Sequence, residues 1–439
     1  MQWTPVNDFG NLRTRRLLGD VIKWLDTQHI ILIKGARQVG KTSLMRLIAK
    51  KLMDEGVPVR RIHFYDLEDE LLRISFDSSY REVVRFLRDD GVDGSERHFV
   101  FLDEIQYLKD PSPVLKLIHD HHPNIKLIVS SSSSLAIERK WTQSLAGRFV
   151  DFVLYPLDFQ EYLEFKGVSL KRPSLSFDEL LNEAVHTFEV SPTHFELLRN
   201  LWHEYVIWGG LPAVALQSDP YMRKRLLHSY TSAYVLKDVA ALGLVQKRVR
   251  FLKVLNLLAA RSSNLLNLNE LSKISGVPRS TLGNYLTILE TSFIIELIKP
   301  FKRNPSTEIV KMPKVYLFDN GVKNGLLGTF SPLDGHPLSG QLVENAVLLN
   351  LRAKGWTVKY WRAKSGAEVD FVLQLEDRLV AVEVKQGTFC PPSIPRGLRS
   401  FMRAYRPDIS IIFNDRCLQC IPESRLCYLP HWAVGWIGK

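Results

Sequence analysis

The run Gly35-Ala36-Arg37-Gln38-Val39-Gly40-Lys41-Thr42-Ser43 has the residue types and spacing needed to grip a triphosphate. Glycines at its first and sixth places let the backbone curl so that its amides face phosphate oxygens, helped by the positive end of a following helix. Lys41 then reaches the β- and γ-phosphates, and the Thr42 hydroxyl ligates Mg²⁺. Further along, Asp103-Glu104 supplies two adjacent carboxylates. Asp103 is expected to hold the Mg²⁺ shell through water, and Glu104 to orient or deprotonate the attacking water. The implied chemistry is hydrolysis of a nucleoside triphosphate.

These groups act together only if the chain sets them at the ends of buried strands. His29–Lys34 is an apolar run of strand length entering the loop, and Leu44, Leu47 and Ile48 recur at helical spacing after it. That is the strand–loop–helix context a phosphate loop requires. His98–Leu102 is a second buried run ending at the acidic pair, as in a doubly wound parallel sheet. A third run, Lys126–Val129, leads into Ser130–Ser134. One of these serines, with Ser132 preferred, is expected to stand between the metal-bound water and the γ-phosphate. Arg148, after Ser144-Leu-Ala-Gly147, is a candidate to neutralise charge developing on the γ-phosphate of its own or a neighbouring subunit. Its alternative is a surface ion pair.

Together with Phe101-Leu-Asp-Glu-Ile105-Gln106, Tyr155-Pro156-Leu157 and Gly209-Gly210-Leu211-Pro212, these segments resemble one group: prokaryotic AAA+-like ATPases that carry a C-terminal domain of restriction-endonuclease-like fold. The likeness runs through most of the chain and departs at Ser131, where the family usually has glycine. It implies ATP hydrolysis by Lys41, Thr42, Asp103 and Glu104, with ATP and Mg²⁺ as cofactors. It leaves the biological substrate open.

In the middle of the chain, helical segments are expected around Leu197–Val214 and Arg223–Leu242, with Lys171–Pro192 as a surface excursion. Leu268–Ile274, the break Ser275-Gly276-Val-Pro278 and a second helix from Arg279 to Leu289 read as a helix-turn-helix, with Ser280 as the cap of the second helix. Runs at Phe293–Ile298 and Lys311–Phe318 suit the strands of a wing. In that arrangement Arg279, Ser280, Thr281 and Asn284 would meet DNA base edges or phosphates, and Lys302 and Arg303 would lie on the wing. Between Val245 and Val315 twelve Lys and Arg face four acids, a focusing of positive charge that favours a polyanion. The competing reading is a protein-contacting winged helix or an ATPase lid.

Toward the C-terminus, Glu344 lies on an amphipathic helix from Gly340 to Leu349. Lys359–Arg362 followed by Glu368–Leu373 reads as one strand, and Leu379–Lys385 as the next. Alternation puts Glu383 and Lys385 on one strand face, and pairing brings Asp370 near Glu383. This resembles the metal-binding core of restriction-endonuclease-like nucleases, a pattern shared with archaeal junction resolvases. The resemblance implies a second Mg²⁺ or Mn²⁺ held by Asp370 and Glu383 and completed by Glu344, with Lys385 steadying the water or the scissile phosphate. The alternative is a catalytically silent copy of the fold.

The 439 residues are 45% hydrophobic and 24% charged with a net charge of +11, which suits several globular domains. No apolar run approaches the ~18 residues that span a bilayer, and the N-terminus with Asp8, Arg13, Arg15 and Arg16 lacks the apolar stretch of a signal peptide. A cytoplasmic protein without membrane association is expected. The cysteines at 390, 417, 420 and 427 do not suggest a disulfide framework. They read as reduced core thiols, in preference to a zinc set of Cys417, Cys420, Cys427 and His431.

The expected architecture is α/β throughout: a P-loop AAA+-like ATPase core at 1–165, a helical lid at 166–244, a winged helix-turn-helix at 245–318 and a restriction-endonuclease-like domain at 319–439. The expected function is ATP-dependent action on duplex or branched DNA, such as four-way (Holliday) junctions, by a homo-oligomer in recombination, repair or defence. Alternatives are a nucleotide-switched regulator whose domains contact proteins, and an ATP-gated metal-dependent nuclease.

Overall fold

The computed structural model describes residues 12–94, 96–132, 144–169, 174–182, 190–231, 248–302, 312–376 and 378–438. The chain divides into two compact units, residues 1–154 with 291–293, and residues 155–290 with 294–439.

In the first unit the apolar runs become five parallel strands: β1 (Ile30–Lys34), β2 (Ile62–Asp66), β3 (His98–Asp103), β4 (Ile125–Ser131) and β5 (Phe149–Val153). Every residue of β3 and β4 is buried, the mark of a parallel sheet covered on both faces. Their order is β2-β3-β4-β1-β5. β4 therefore separates β1 from β3, which places the serines at its end between the phosphate loop and the acidic pair. Helix α1 (Lys41–Asp54) starts directly after Gly40 and buries Leu44, Met45, Leu47, Ile48, Ala49 and Leu52. Lys126, on β4, is buried and donates to the carbonyls of Trp24 (2.6 Å), Thr27 (2.9 Å) and His29 (2.5 Å). Its burial lowers the ammonium pKa to about 7.

The second unit is built on a six-stranded sheet of order β12-β13-β11-β10-β9-β8. Its strands are β8 (Val358–Arg362), β9 (Glu368–Leu375), β10 (Arg378–Val384), β11 (Ile409–Asn414), β12 (Gln419–Ile421) and β13 (Leu426–Pro430). Helix α2 (Pro192–Trp208) contributes Leu198, Trp202, Tyr205, Val206 and Ile207 to a core shared with the inner face of this sheet. Helices α3 (Leu268–Ser275) and α4 (Arg279–Thr291) are joined through Gly276-Val-Pro278, and β6 (Ile295–Ile298) pairs antiparallel with β7 (Lys314–Leu317). Helices α5 (Asn320–Leu327) and α6 (Ser339–Ala353) follow.

The Gly209-Gly210-Leu-Pro segment is a packing corner at the end of α2. Asp319, fully buried, accepts from Gly210 N (2.7 Å) and Val322 N (3.0 Å), tying the corner to the start of α5. A Cβ at Gly209 would lie 2.2 Å from Asp319 Oδ1, and one at Gly210 2.3 Å from Leu157 O. Burial raises the Asp319 pKa to about 6.

Several expectations change. The 171–192 stretch is not wholly a surface excursion: Leu175, Phe177 and Leu180 are buried in the main core, and Leu175 N donates to Trp436 O (2.8 Å). Apolar residues interspersed among serines and prolines were enough to dock it. Lys359–Arg362 and Glu368–Leu375 are two antiparallel strands, because Gly366 at φ 84° closes a turn between them. Ser280 lies inside the first turn of α4, which begins at Arg279, rather than at its cap. The cysteines are paired, Cys390 with Cys417 and Cys420 with Cys427. The β12–β13 register sets Cys420 opposite Cys427, and His431 Nε2 is engaged by Lys385 O at 2.8 Å. The zinc set is thereby dispersed. The expected helix at Arg223–Leu242 is observed as far as Ser229; residues 232–242 lie outside the described residues.

Candidate functional site

The phosphate loop follows β1 and takes backbone conformations its glycines permit. Gly40 has φ 99°, and a Cβ on Gly35 would meet Leu154 O at 2.3 Å. The loop is braced from outside, where Arg15 donates to Val39 O (2.6 Å). Gln38 adopts φ 60°; Ala36 and Val39 are buried, and Ser43 in the first turn of α1 is half-buried.

Three strand ends meet at this loop. Thr42 Oγ1 donates to Asp103 Oδ2 at 2.6 Å, while Ser130 donates to Asp103 Oδ1 and accepts from Glu104 N at 2.9 Å. Burial raises the Asp103 pKa against the pull of Ser130 and Thr42. Lys41 Nζ bonds Ala36 O (3.1 Å) and lies 3.4 Å from Glu104 Oε1. Burial alone would raise Glu104, but Lys41, Gln106, Ser132 and Arg37 together hold it below its ordinary value, which keeps it ionised. Glu104 sits at φ 56°, an uncommon setting for a non-glycine residue.

Ser132 donates to Glu104 Oε2 at 2.8 Å. Ser131 donates to Gln106 Oε1 at 2.9 Å. Ser133 and Ser134 lie outside the described residues. Gln106 joins this network as well. Its carboxamide bonds Glu104 Oε2, Ser132 Oγ (2.9 Å), Ser131 Oγ and Ser132 N (3.2 Å). Arg37 bonds Glu68 Oε1 (3.1 Å) and Tyr107 OH (2.5 Å). Arg148 forms a two-pronged ion pair with Asp120 (2.8 and 3.0 Å).

The arrangement fits Mg-ATP. Glycine at 35 and 40 lets the loop backbone take conformations that a Cβ would obstruct, Thr42 and Asp103 share one hydrogen-bonded position suited to a hard cation, and Lys41 is buried beside a carbonyl and, among the described residues, one carboxylate.

On α4, Arg279, Ser280 and Asn284 are exposed and Thr281 is half-buried. Lys302 is half-buried, and Arg303 lies outside the described residues. Arg250, Lys253, Lys273 and Lys299 are also exposed.

In the second unit two of the candidate acids, Glu344 and Asp370, face one lysine together with Glu368, while Glu383 pairs with Lys385. Lys314 on β7 is buried, and its Nζ lies 2.5 Å from Glu368 Oε1, 3.2 Å from Glu344 Oε1 and 3.7 Å from Asp370 Oδ1. Tyr316 donates to Glu344 Oε1 at 2.6 Å, Val384 N to Asp370 Oδ2 at 2.9 Å and Lys385 to Glu383 Oε1 at 2.6 Å. Burial and repulsion from Asp370 push Glu344 up to about 7 and Glu383 up to about 8. Among the described residues no group of three or more His, Cys, Asp or Glu is arranged to hold a metal ion. The expected second Mg²⁺ or Mn²⁺ therefore does not fit the cluster as it stands, because an ammonium already lies among its carboxylates.

No helix among the described residues is long and apolar enough to cross a membrane. Residues 199–333 and 339–421 match two families described as domains of unknown function, and residues 27–163 match a family described as an AAA domain. An uncharacterized protein of Haemophilus influenzae is 23% identical over 84% of this chain and 85% of its own length. One of Methanocaldococcus jannaschii is 25% identical over 80% of this chain and 73% of its own. Among solved structures, a Walker-type ATPase of Pyrococcus abyssi has a TM-score of 0.47 at 17% identity, covering 72% of this chain and 95% of that one. With the parallel sheet and the Lys41–Thr42–Asp103 geometry already in place, the AAA match over residues 27–163 supports a P-loop nucleoside-triphosphatase domain there.

Proposed function

We propose that the chain hydrolyses ATP in its first unit and uses that cycle to act on DNA, with branched forms such as four-way junctions as the expected substrate and a homo-oligomer as the working state. The observation that carries the hydrolytic reading is the single network joining Lys41, Thr42, Asp103, Glu104, Ser132 and Gln106. Mg-ATP supplies a polarised γ-phosphate and the metal that screens its charge. The loop amides and Lys41 bind the phosphates, and Thr42 and Asp103 hold the Mg²⁺. Glu104 takes the proton of the attacking water, with Ser132 and Gln106 fixing its carboxylate. Arg148 serves a nucleotide only after leaving Asp120, which suits a role across a subunit interface.

The DNA reading is supported by exposed Arg279, Ser280 and Asn284 on the second helix of a helix–turn–helix, with Lys273 on the first. A second reading, a nucleotide-switched regulator making protein contacts, gains from Lys314, whose charge faces inward. The deciding experiment is ATP turnover with and without duplex, forked and four-way DNA, combined with binding across a salt series. DNA-stimulated turnover, and affinity that falls steeply with salt and less steeply in Arg279→Ala, support action on DNA. Slow turnover indifferent to every DNA supports the switch.

A further inference from the structure

We infer that Lys314 is a built-in counter-ion occupying the cation position of the C-terminal carboxylate cluster, so that in the folded chain this cluster takes no divalent metal and is a latent rather than a working metal site. A metal nuclease centre needs several carboxylate oxygens turned onto one point about 2.0–2.2 Å from each. Here that convergence is made on an ammonium. Lys314 Nζ faces Glu344, Glu368 and Asp370 at 3.2, 2.5 and 3.7 Å, ion-pair distances that use the donors of an –NH₃⁺ group.

The ammonium is not free to swing away. Lys314 pairs with Ile298 across the β6–β7 ladder, bridges to Leu265 and is only 2% exposed. Its Nζ also lies 5.8 Å from the centre of the Tyr360 ring, a cation–π contact. Other donors also bind the cluster: Tyr316 donates to the same Glu344 Oε1, Val384 N to Asp370 Oδ2, and Lys385 to Glu383 Oε1. Among the described residues Glu383 Oε2 is buried with no hydrogen-bond partner, so part of the cluster lies beyond the reach of Lys314. A divalent ion entering beside Lys314 would meet a fixed like charge in a poorly solvated place, where repulsion is strong.

Removing the ammonium while keeping the bulk of the side chain, as in Lys314→Met, uncovers Glu344, Glu368, Asp370 and Glu383 Oε2 together. The test is manganese retention by nucleotide-free full-length protein, read from the loss of the free-ion resonance signal on titration. Wild type is expected to show no manganese that Asp370→Asn removes. Lys314→Met is expected to gain one equivalent, abolished again in Lys314→Met/Asp370→Asn. Manganese held at Thr42 and Asp103 is insensitive to Asp370→Asn, so failure of this inference and failure of the ATP site are told apart. Wild-type protein that holds an equivalent lost in Asp370→Asn would overturn the inference. So would a folded Lys314→Met protein that retains no more manganese than wild type. Should circular dichroism show Lys314→Met unfolded, the wild-type and Asp370→Asn pair decides alone: no difference in manganese supports the inference, and a lost equivalent refutes it.

Discussion

Replacing Gln106 by alanine tests how Glu104 is aimed. Gln106 holds Glu104 Oε2 and Ser132 Oγ through Nε2, and accepts from Ser131 and Ser132 N through Oε1. Ser132 and Lys41 remain on Glu104 in the variant. A hydrogen bond to a charged group contributes about 1.5–3 kcal/mol net. If that energy is used to hold the carboxylate toward the attacking water, loss at 1.36 kcal/mol per decade lowers kcat by roughly 10–100-fold. Gln106 has no described contact with Lys41 or Thr42, so KM for ATP should move by less than about twofold, the pattern for an interaction used in the transition state. Gln106 also helps hold Glu104 below its ordinary pKa. The acid limb of the kcat profile should therefore shift to higher pH in Gln106→Ala, a change that loosened packing alone would not produce. Steady-state phosphate release across pH, with nucleotide affinity measured separately, is the assay. Wild-type kcat, or a raised KM with unchanged kcat, would refute the positioning role.

Three further outcomes follow from the geometry. Lys41→Ala should lose nucleotide binding or turnover, whereas Glu104→Gln should bind ATP and stall; calorimetry and single-turnover hydrolysis separate them. Asp319→Ala leaves buried amides of Gly210 and Val322 unbonded, at about 1–3 kcal/mol each, and should lower the denaturation midpoint of the second unit by a matching amount without altering the phosphate-loop contacts. His431 is buried, and its pKa is lowered to about 4 by desolvation. Because the folded value lies below the unfolded one of about 6.5, the unfolded chain binds the extra proton. The stability is present above pH 6.5 and is lost as pH falls toward 4, by about 3 kcal/mol at 1.36 kcal/mol per unit. Urea melts at pH 7.5 and 5 should show that decline, flattened in His431→Gln; an equal slope in both proteins would count against it.

Much of the nucleotide site could be read directly because its chemistry is local. A phosphate loop is a contiguous segment, and its glycines, lysine and threonine have meaning at fixed offsets whatever surrounds them. The acidic pair and the serines were also visible as strand ends, since buried parallel strands announce themselves as unbroken apolar runs. Which serine does what was not visible. Ser130, Ser131 and Ser132 take three different partners, Asp103, Gln106 and Glu104, and the choice depends on how β4 sits between β1 and β3.

The segment from 171 to 192 was misread for a related reason. Polarity averaged over a window hides Leu175, Phe177 and Leu180, and only the neighbouring core shows that there is a place to bury them. The disulfide pairs depend likewise on register, because Cys420 and Cys427 meet through strand pairing rather than through their spacing in sequence.

The contrast is sharpest at Lys314. Residue types and strand alternation were enough to expect a triphosphate at Gly35–Ser43 and to expect Asp370 near Glu383, because those expectations need only short motifs, while Glu344 entered through the nuclease resemblance. Only the tertiary fold decided that Lys314, one of the twelve basic residues of its segment, points inward among Glu344, Glu368 and Asp370. A charge in sequence has a sign but no direction. Burial and the positions of opposite charges from distant segments determine whether it faces a partner in solvent or neutralises the protein's own interior.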